Sequence, residues 1–494
     1  KAERSKQCFE AMVQKCQEIL ADAVGEKAAA LKAFFASWQP ETAHENALLQ
    51  SYMDDLLNSA NLMFKVEGES VEQDEEIRKA WDAYKSQQAS DTVQGICLVT
   101  GKKAPVARLH PNIKGLYGAQ SSGAALVAFN ALAYESYEHK QGDNAPVSEY
   151  AAFAYTTALN TLLASERNYL RIGEMTVVFW AEGADADNED VFGDVFSSEN
   201  KIIEDDALQG FFEKVSRGQS FSVKDYLVKP ENKFYILGLS PNAARIAVRF
   251  FLVDTFGDFI KNYEQYFREF EIIKPSFDNR VNVPLWQILQ ETANKNSKDK
   301  AASPLLAGAV LRSILSGIKY PEALYQNTIL RAKADQDNPD KNITKISRIK
   351  AAIIKACLLR NYKNNEEVVT VALNEECKKV PYVLGRLFAV LEDLQEKANP
   401  GINSTIKDRY FNSACATPSV TFPLLTKLAN THLKKISAQK GTVIYFEKLI
   451  GELMNKLEVE NNAMPARLSL PEQGEFVLGY YHQVQKRFEK KEEK

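Results

Sequence analysis

Residues 234–253 read FYILGLSPNAARIAVRFFLV, and the way this stretch turns decides how the middle of the chain folds. FYILGLS (234–240) gathers Phe234, Tyr235, Ile236, Leu237 and Leu239 into one short apolar run, the composition of a buried strand. Ser240 is a good helix N-cap and Pro241 suits a first helical position, so SPNAARIAVRFF is expected to continue as a helix. Ser240, Pro241, Asn242, Arg245 and Arg249 interrupt the run too often for a membrane span, and nowhere else do ~18 uninterrupted apolar residues occur.

Upstream of this stretch the elements alternate. MTVVFWAE (175–182) is rich in β-branched and aromatic residues and reads as a strand. SEYAAFAYTTALNTLLAS (148–165) reads as a helix capped by Ser148, with Ala151, Tyr155, Ala158, Leu159 and Leu162 on one face. GICLVT (95–100) looks like a short strand leading into a Gly-rich stretch. Residues 1–90 are mostly helical by spacing, with breaks near Gln39–Pro40 and Glu67–Glu69. Between 182 and 206 stand ten acidic residues and one lysine, clustered by composition and not at ligand spacing; a solvated loop is expected.

Downstream, nearly everything from 301 onward is helical. Val380, Val383, Leu384, Leu387, Phe388, Leu391 and Leu394 recur every three or four residues, as do Phe446, Leu449, Ile450, Leu453 and Leu457; Tyr480, Val484 and Phe488 continue the pattern. The fold class is therefore α+β, a mixed α/β N-terminal body followed by a C-terminal all-α helical bundle. The expected divisions are a helical segment at 1–90, a body at 91–340, and a basic helical region with the bundle at 341–494.

Composition narrows the function classes. The 494 residues are 45% hydrophobic and 26% charged, ordinary for a globular chain. Six cysteines stand far apart without a CxxC pair, which disfavours a disulfide framework or structural zinc and fits a reducing cytoplasm. The five histidines form no HExxH, so neither a metal nor a cofactor is expected. The net charge of −4 hides an asymmetry: 341–494 carries 25 Lys/Arg against 17 Asp/Glu, while the remainder carries 36 against 48. A basic C-terminal third suggests a polyanion met by part of the surface.

Catalytic motifs fail on inspection. YGAQSSG (117–123) lacks the paired glycines of a nucleophile elbow, since Ala119 precedes Ser121 and Ala124 follows Ser122. TGKK (100–103) is no phosphate loop, because five residues separate Gly95 from Gly101 and Lys103 follows the lysine. No catalytic set remains, and a non-enzymatic protein is expected.

Nucleic-acid contact has more support. Residues 341–363 hold seven Lys/Arg and no acid. On a helix, Lys341, Lys345, Arg348 and Lys355 would form one stripe with Ile346, Ile349, Ile353 and Ile354 turned inward, a surface able to follow a phosphate backbone. Arg245 and Arg249, in the first turns of the expected helix at 241, make a second phosphate seat. In LHPNIKGLYGAQSSGAALVAFN (109–130), Asn112, Lys114, Gln120, Ser121 and Ser122 can bond phosphates or base edges, with Lys102, Lys103 and Arg108 beside them. His110 reads as a structural hydrogen-bond partner. A hydrolytic or nucleotide-binding enzyme and a pure protein-interaction scaffold stay open as alternatives.

These segments also carry a resemblance. CLVTG (97–101), the 109–130 stretch, QGDNAPVSEYAAFAYTTALNTLL, YILGLSPNAARIAVRFF, GRLFAVLE, TIKDRYFNSACATP and QGEFVLGYYHQ resemble, in order, the large subunit of the type I-C CRISPR Cascade. Ala128 and Glu138 depart from it, standing where serine and glycine are expected. The chain opens on Lys1, and the resemblance implies a preceding segment holding some of the residues that read the protospacer-adjacent motif. It further implies a cytoplasmic, non-catalytic subunit whose loops in 91–340 face DNA. That subunit would meet the guide RNA, the target duplex and its displaced strand, and the backbone, guide-handle-binding and small subunits. It would also recruit a helicase-nuclease for antiviral defence. The C-terminal bundle resembles the small subunit. With no methionine between Met175 and Met454, a separate start for it would need a non-AUG codon near Val368, Val369 or Val371.

Overall fold

The computed structural model describes residues 2–488 except 58–61, 89–92, 184–186, 197–209, 211, 213, 215–220, 224–225, 279, 281–282, 297–302, 342, 364–367 and 458–463. Two compact units emerge, one formed by Lys1–His110 with Ala128–Tyr155, the other by Pro111–Val127 with Thr156–Lys494.

In the first unit, α1 (Ala2–Leu20), α2 (Glu26–Ser37) and α3 (Glu75–Gln88) enclose a small core of Leu20, Ala28, Leu31, Phe35 and Val71. Lys32 donates to the carbonyls of Ala21 and Ala23, satisfying acceptors of the turn that follows α1. A short hairpin pairs β1 (Gln94–Ile96) with β2 (Lys103–Pro105). Just beyond its largely exposed strands, Cys97 and Ala107 form a small buried cluster with Val147, Ala151 and Ala152 at the start of α4 (Glu149–Ala164), where Ser148 accepts from the Ala151 amide as the expected cap.

The second unit is built on a four-stranded antiparallel sheet in the order β6-β5-β4-β3, from β3 (Tyr169–Ile172), β4 (Met175–Ala181), β5 (Lys233–Asn242) and β6 (Arg245–Thr255). Its inner face presents Met175, Val177, Phe179, Phe234, Ile236 and Phe250 to the core. The helix expected from Ser240 onward is not there. Asn242 pairs with Arg245 across a two-residue turn, and the chain returns as β6. Ser240 and Pro241 are good helix starters locally, but Ile246, Val248, Phe250, Phe251 and Val253 favour a strand, and β5 supplies the partner that makes pairing win. Ala243 in that turn has φ 53°, a left-handed conformation that costs about 1–2 kcal/mol without glycine. Ala243→Gly is expected to raise stability by about 0.5–1 kcal/mol after glycine's own entropy cost, readable as a higher melting temperature.

The acidic stretch is also more ordered than expected. Its residues Asn188–Phe196 form α5, with Val191, Phe192 and Val195 buried. Arg167 pairs with Asp187 and Asp190. Positions 185, 199 and 204–206 lie outside the described residues.

From there the chain is helical: α6 (Phe256–Phe270), α7 (Leu285–Thr292), α8 (Pro304–Ser316), α9 (Glu322–Ala334) and α10 (Arg348–Tyr362) lead into α11 (Val380–Ala398), α12 (Ile406–Ala416), α13 (Pro418–Lys435), α14 (Lys440–Asn455) and α15 (Leu470–Lys486). The mixed α+β body and helical C-terminal region agree with the sequence reading, and the apolar positions from Val383 to Leu394 are buried as their spacing requires. Phe488 is the exception, left exposed at the end.

α11 and α15 cross backbone to backbone. A Cβ on Gly385 would lie 2.0 Å from the Phe476 carbonyl oxygen, and one on Gly479 would lie 2.1 Å from that of Tyr382. Around the crossing, Phe388, Phe411, Phe476 and Tyr480 pack edge to face.

Candidate nucleic-acid interface

The 111–127 segment is a closed loop. Ile113 and Ala124 exchange both backbone hydrogen bonds at 2.9 Å, sealing its base. Asn160 on α4 accepts from the Lys114 amide at 2.8 Å and donates to the Asn112 carbonyl at 3.3 Å, fixing the entry strand. Asn112 in turn donates to the Ser122 carbonyl at 3.2 Å. Gly123, at φ 88°, lets the exit strand pass within contact of Ile113, where a Cβ would meet that residue's carbonyl oxygen at 2.7 Å. Asn112, Lys114, Gln120, Ser121 and Ser122 are all exposed on this frame. The loop is thus held by its own hydrogen bonds, the Asn112 amide among them, and by Asn160 of α4, while Lys114, Gln120, Ser121 and Ser122 are exposed.

In the first unit, Lys102 and Lys103 are exposed at the turn of the β1–β2 hairpin. Gly101 donates to the Cys97 carbonyl and Cys97 to that of Lys102, closing the turn. The exposed Arg108 donates to Gln141 at 2.7 Å. Cys97 is buried; hydrogen bonding from the Ser148 side chain and amide at the head of α4 lowers its thiol to about 6. His110 is buried with Nδ1 2.7 Å from the Tyr155 hydroxyl, the structural role expected of it; burial holds its pKa down. No three His, Cys, Asp or Glu side chains are placed to hold a metal among the described residues.

Arg245 and Arg249 do not stand on a helix N-terminus. Both lie on β6 and are partly exposed, and Arg249 is the extra residue of a β-bulge, between Val248 opposite Leu239 and Phe250 opposite Gly238. The stem of Arg249 rests over Gly308 of α8. Their helical spacing is lost, and with it the dipole argument for a shared phosphate seat.

The basic run at 341–363 is corrected more deeply. Its helix begins only at Arg348, so Lys341 and Lys345 precede it and no continuous stripe forms. Lys341 is exposed in a short turn, its ammonium 3.2 Å from Asn296. Lys345, Arg348 and Lys355 are buried at 1%, 6% and 3% exposure. The Lys345 ammonium donates to the carbonyls of Lys333 and Asp335, capping the end of α9. Lys355 does the same for α6, through Arg268 and Glu269. Burial pulls both lysines below their usual range. Arg348 bonds Asp278 and the Arg280 carbonyl. Each of these cations spends its donors on helix ends and carboxylates inside the unit, which removes Lys345, Arg348 and Lys355 from any strand-facing surface.

The exposed basic surplus lies further on. Residues 406–456 carry eight Lys/Arg against three Asp/Glu. Lys427 and Lys434 on α13, and Lys440 and Lys448 on α14, face outward. Local charge balance over the bundle would have pointed there. No helix of the described residues is long and apolar enough to cross a membrane.

A family model described as CRISPR-associated protein (Cas_Csd1) matches residues 1–488. The chain belongs to the Cas_Csd1 family. No curated protein matches it significantly. Membership in Cas_Csd1 makes this a CRISPR-associated protein, one expected to work alongside other Cas proteins, and it sets the exposed loops and basic helices in that setting.

Proposed function

We propose that this chain is the non-catalytic large subunit of a type I-C Cascade. In this reading it helps recognise the flanking motif beside a target, supports the opened strands, and offers a docking surface to the helicase-nuclease. Guide RNA pairing reads the target, while the protein grips backbone and flank. Its neighbours are the backbone, guide-handle-binding and small subunits. The observation that carries the reading is the braced 111–127 loop, tied by Asn112 and Asn160, on which Lys114, Gln120, Ser121 and Ser122 are exposed beside Asn112. Lys102, Lys103 and Arg108 supply exposed cations in the first unit, and the α13–α14 lysines supply them in the bundle.

The two kinds of contact predict different phenotypes. In the assembled complex, Gln120→Ala with Ser121→Ala is expected to weaken binding by amounts that depend on the flanking trinucleotide. Lys427→Ala with Lys434→Ala is expected to weaken all targets alike and to reduce the salt slope by about one per cation lost from phosphate contact. Gel shifts over a salt series, on duplexes differing only in the flank, measure both. Loop variants that weaken every flank equally would remove the loop as a reader. Lysine variants with unchanged slope would favour a scaffold.

A further inference from the structure

The face of the four-stranded sheet opposite the core carries a cluster of aromatic rings that the loop reading does not use. Trp180 on β4 and Tyr235 on β5 are cross-strand partners. Their rings are parallel within 4°, with centroids 5.2 Å apart. Phe251 on β6 lies 6.3 Å from Trp180 and 6.4 Å from Tyr235, tilted by 25° and 21°. Side chains alternate along a strand, so these three share a face with Leu237 and Val253, opposite buried Phe179, Phe234, Ile236 and Phe250. Phe251 is 53% exposed and Val253 43%.

The 111–127 loop is fastened to the other end of the same face. The Arg171 guanidinium lies over the Tyr117 ring, Gly118 sits against Pro241, and Ala125 exchanges backbone hydrogen bonds with Ala244 and Ile246. Val178 and Leu239 on this face are fully buried, whereas Trp180, Tyr235 and Leu237 are half-buried and Phe251 is exposed among the described residues. From Pro241 to Tyr235 is six residues of strand, roughly 20 Å. At the ring end Lys233 has its ammonium 5.7 Å from the Tyr235 centroid, and exposed Glu182 bonds the Lys233 carbonyl through its amide. Charge there is balanced, so this end offers ring surface more than a phosphate seat.

We infer that the Trp180–Tyr235–Phe251 cluster receives unpaired bases of a single nucleic-acid strand continuing from the 111–127 loop. The inference rests on the proposed function: the loop meets a duplex, and a strand freed there reaches the rings within a few nucleotides. Base–aromatic stacking is sequence-tolerant, which suits a strand whose sequence changes with every target.

The test uses the full chain with fluorescein-labelled (dT)12, and the same strand carrying one 2-aminopurine. Tyr235→Ala with Phe251→Ala should weaken binding by about 10-fold or more, leave the salt slope unchanged, and abolish the 2-aminopurine quench. Phe251→Trp should retain binding, while Phe251→Leu, which keeps the apolar bulk, should not. Thermal melts of each variant separate unfolding from lost stacking. Wild-type affinity in the double variant, or full binding by Phe251→Leu, overturns the inference. Lost capture of a Cascade subunit with (dT)12 binding intact also overturns it, marking the face as a protein dock. Failure of the assembled complex to bind duplex sinks the proposed function instead, a result read independently of (dT)12.

Discussion

Lys350→Ala is expected to destabilise the second unit by about 3–5 kcal/mol, the usual cost of removing one partner from a buried ion pair. Lys350 is fully buried, with its ammonium 2.7 Å from Asp335, 3.5 Å from Glu291, and bonded to the carbonyls of Thr344 and Lys345. Its loss strands the Asp335 carboxylate, itself 3% exposed, with Arg331 3.5 Å away as a remaining cation. Urea unfolding of three variants separates charge from volume. Lys350→Met keeps most of the bulk and should lose nearly as much as alanine. Adding Asp335→Asn should recover part of that loss, because the more deeply buried of the two carboxylates facing Lys350 is then neutral. A Lys350→Met protein within 1 kcal/mol of the parent would show that the pair contributes little and that the helices around it are held by apolar packing.

Gly479→Ala is the second large effect, expected to cost about 3 kcal/mol or more. Its methyl would enter within 2.1 Å of the Tyr382 carbonyl oxygen, and backbone cannot swing aside as a side chain can. Gly385→Ala meets the Phe476 carbonyl in the same way and should cost a similar amount. Either methyl forces α11 and α15 apart, so the second substitution enters a gap the first has already opened. The double variant should therefore lose clearly less than the sum of the singles. Denaturant midpoints with a near-ultraviolet probe of the surrounding aromatic cluster would measure this; strictly additive losses would mean the two contacts are independent.

The bundle was legible in the sequence because its signal is local. Val383, Leu384, Leu387, Phe388, Leu391 and Leu394 mark one helical stripe, and the structure buries that stripe. The exposed loop was legible for a related reason, since Asn112, Gln120, Ser121 and Ser122 cluster in a glycine-rich run whose polar groups favour solvent. Two features depended on distant partners and escaped. Residues 241–253 carry a helix-start signal that pairing with β5 overrides. The Trp180–Tyr235–Phe251 cluster joins positions far apart in the chain, and only the register of the sheet makes them neighbours. The basic run misled for another reason: a lysine count does not say whether water or a helix end receives the ammonium.

The spacing within that run has its own consequence. Lys345, Lys350, Lys355 and Arg360 recur every fifth residue. Lys345 stands in the turn before α10; along the helix itself a step of five turns the direction by about 140°, so Lys350, Lys355 and Arg360 radiate like spokes from a hub. They reach the Asp335–Glu291 pair at the end of α9, the end of α6, and Glu269 with the tail of α8 in turn, while Lys345 reaches the last carbonyls of α9 from outside the helix. One residue inserted early in α10 would rotate the later spokes by about 100° at once and uncouple them together. α10 therefore tolerates exchange of side chains far better than any change in its length, and its residue count gauges where three neighbouring helices stop.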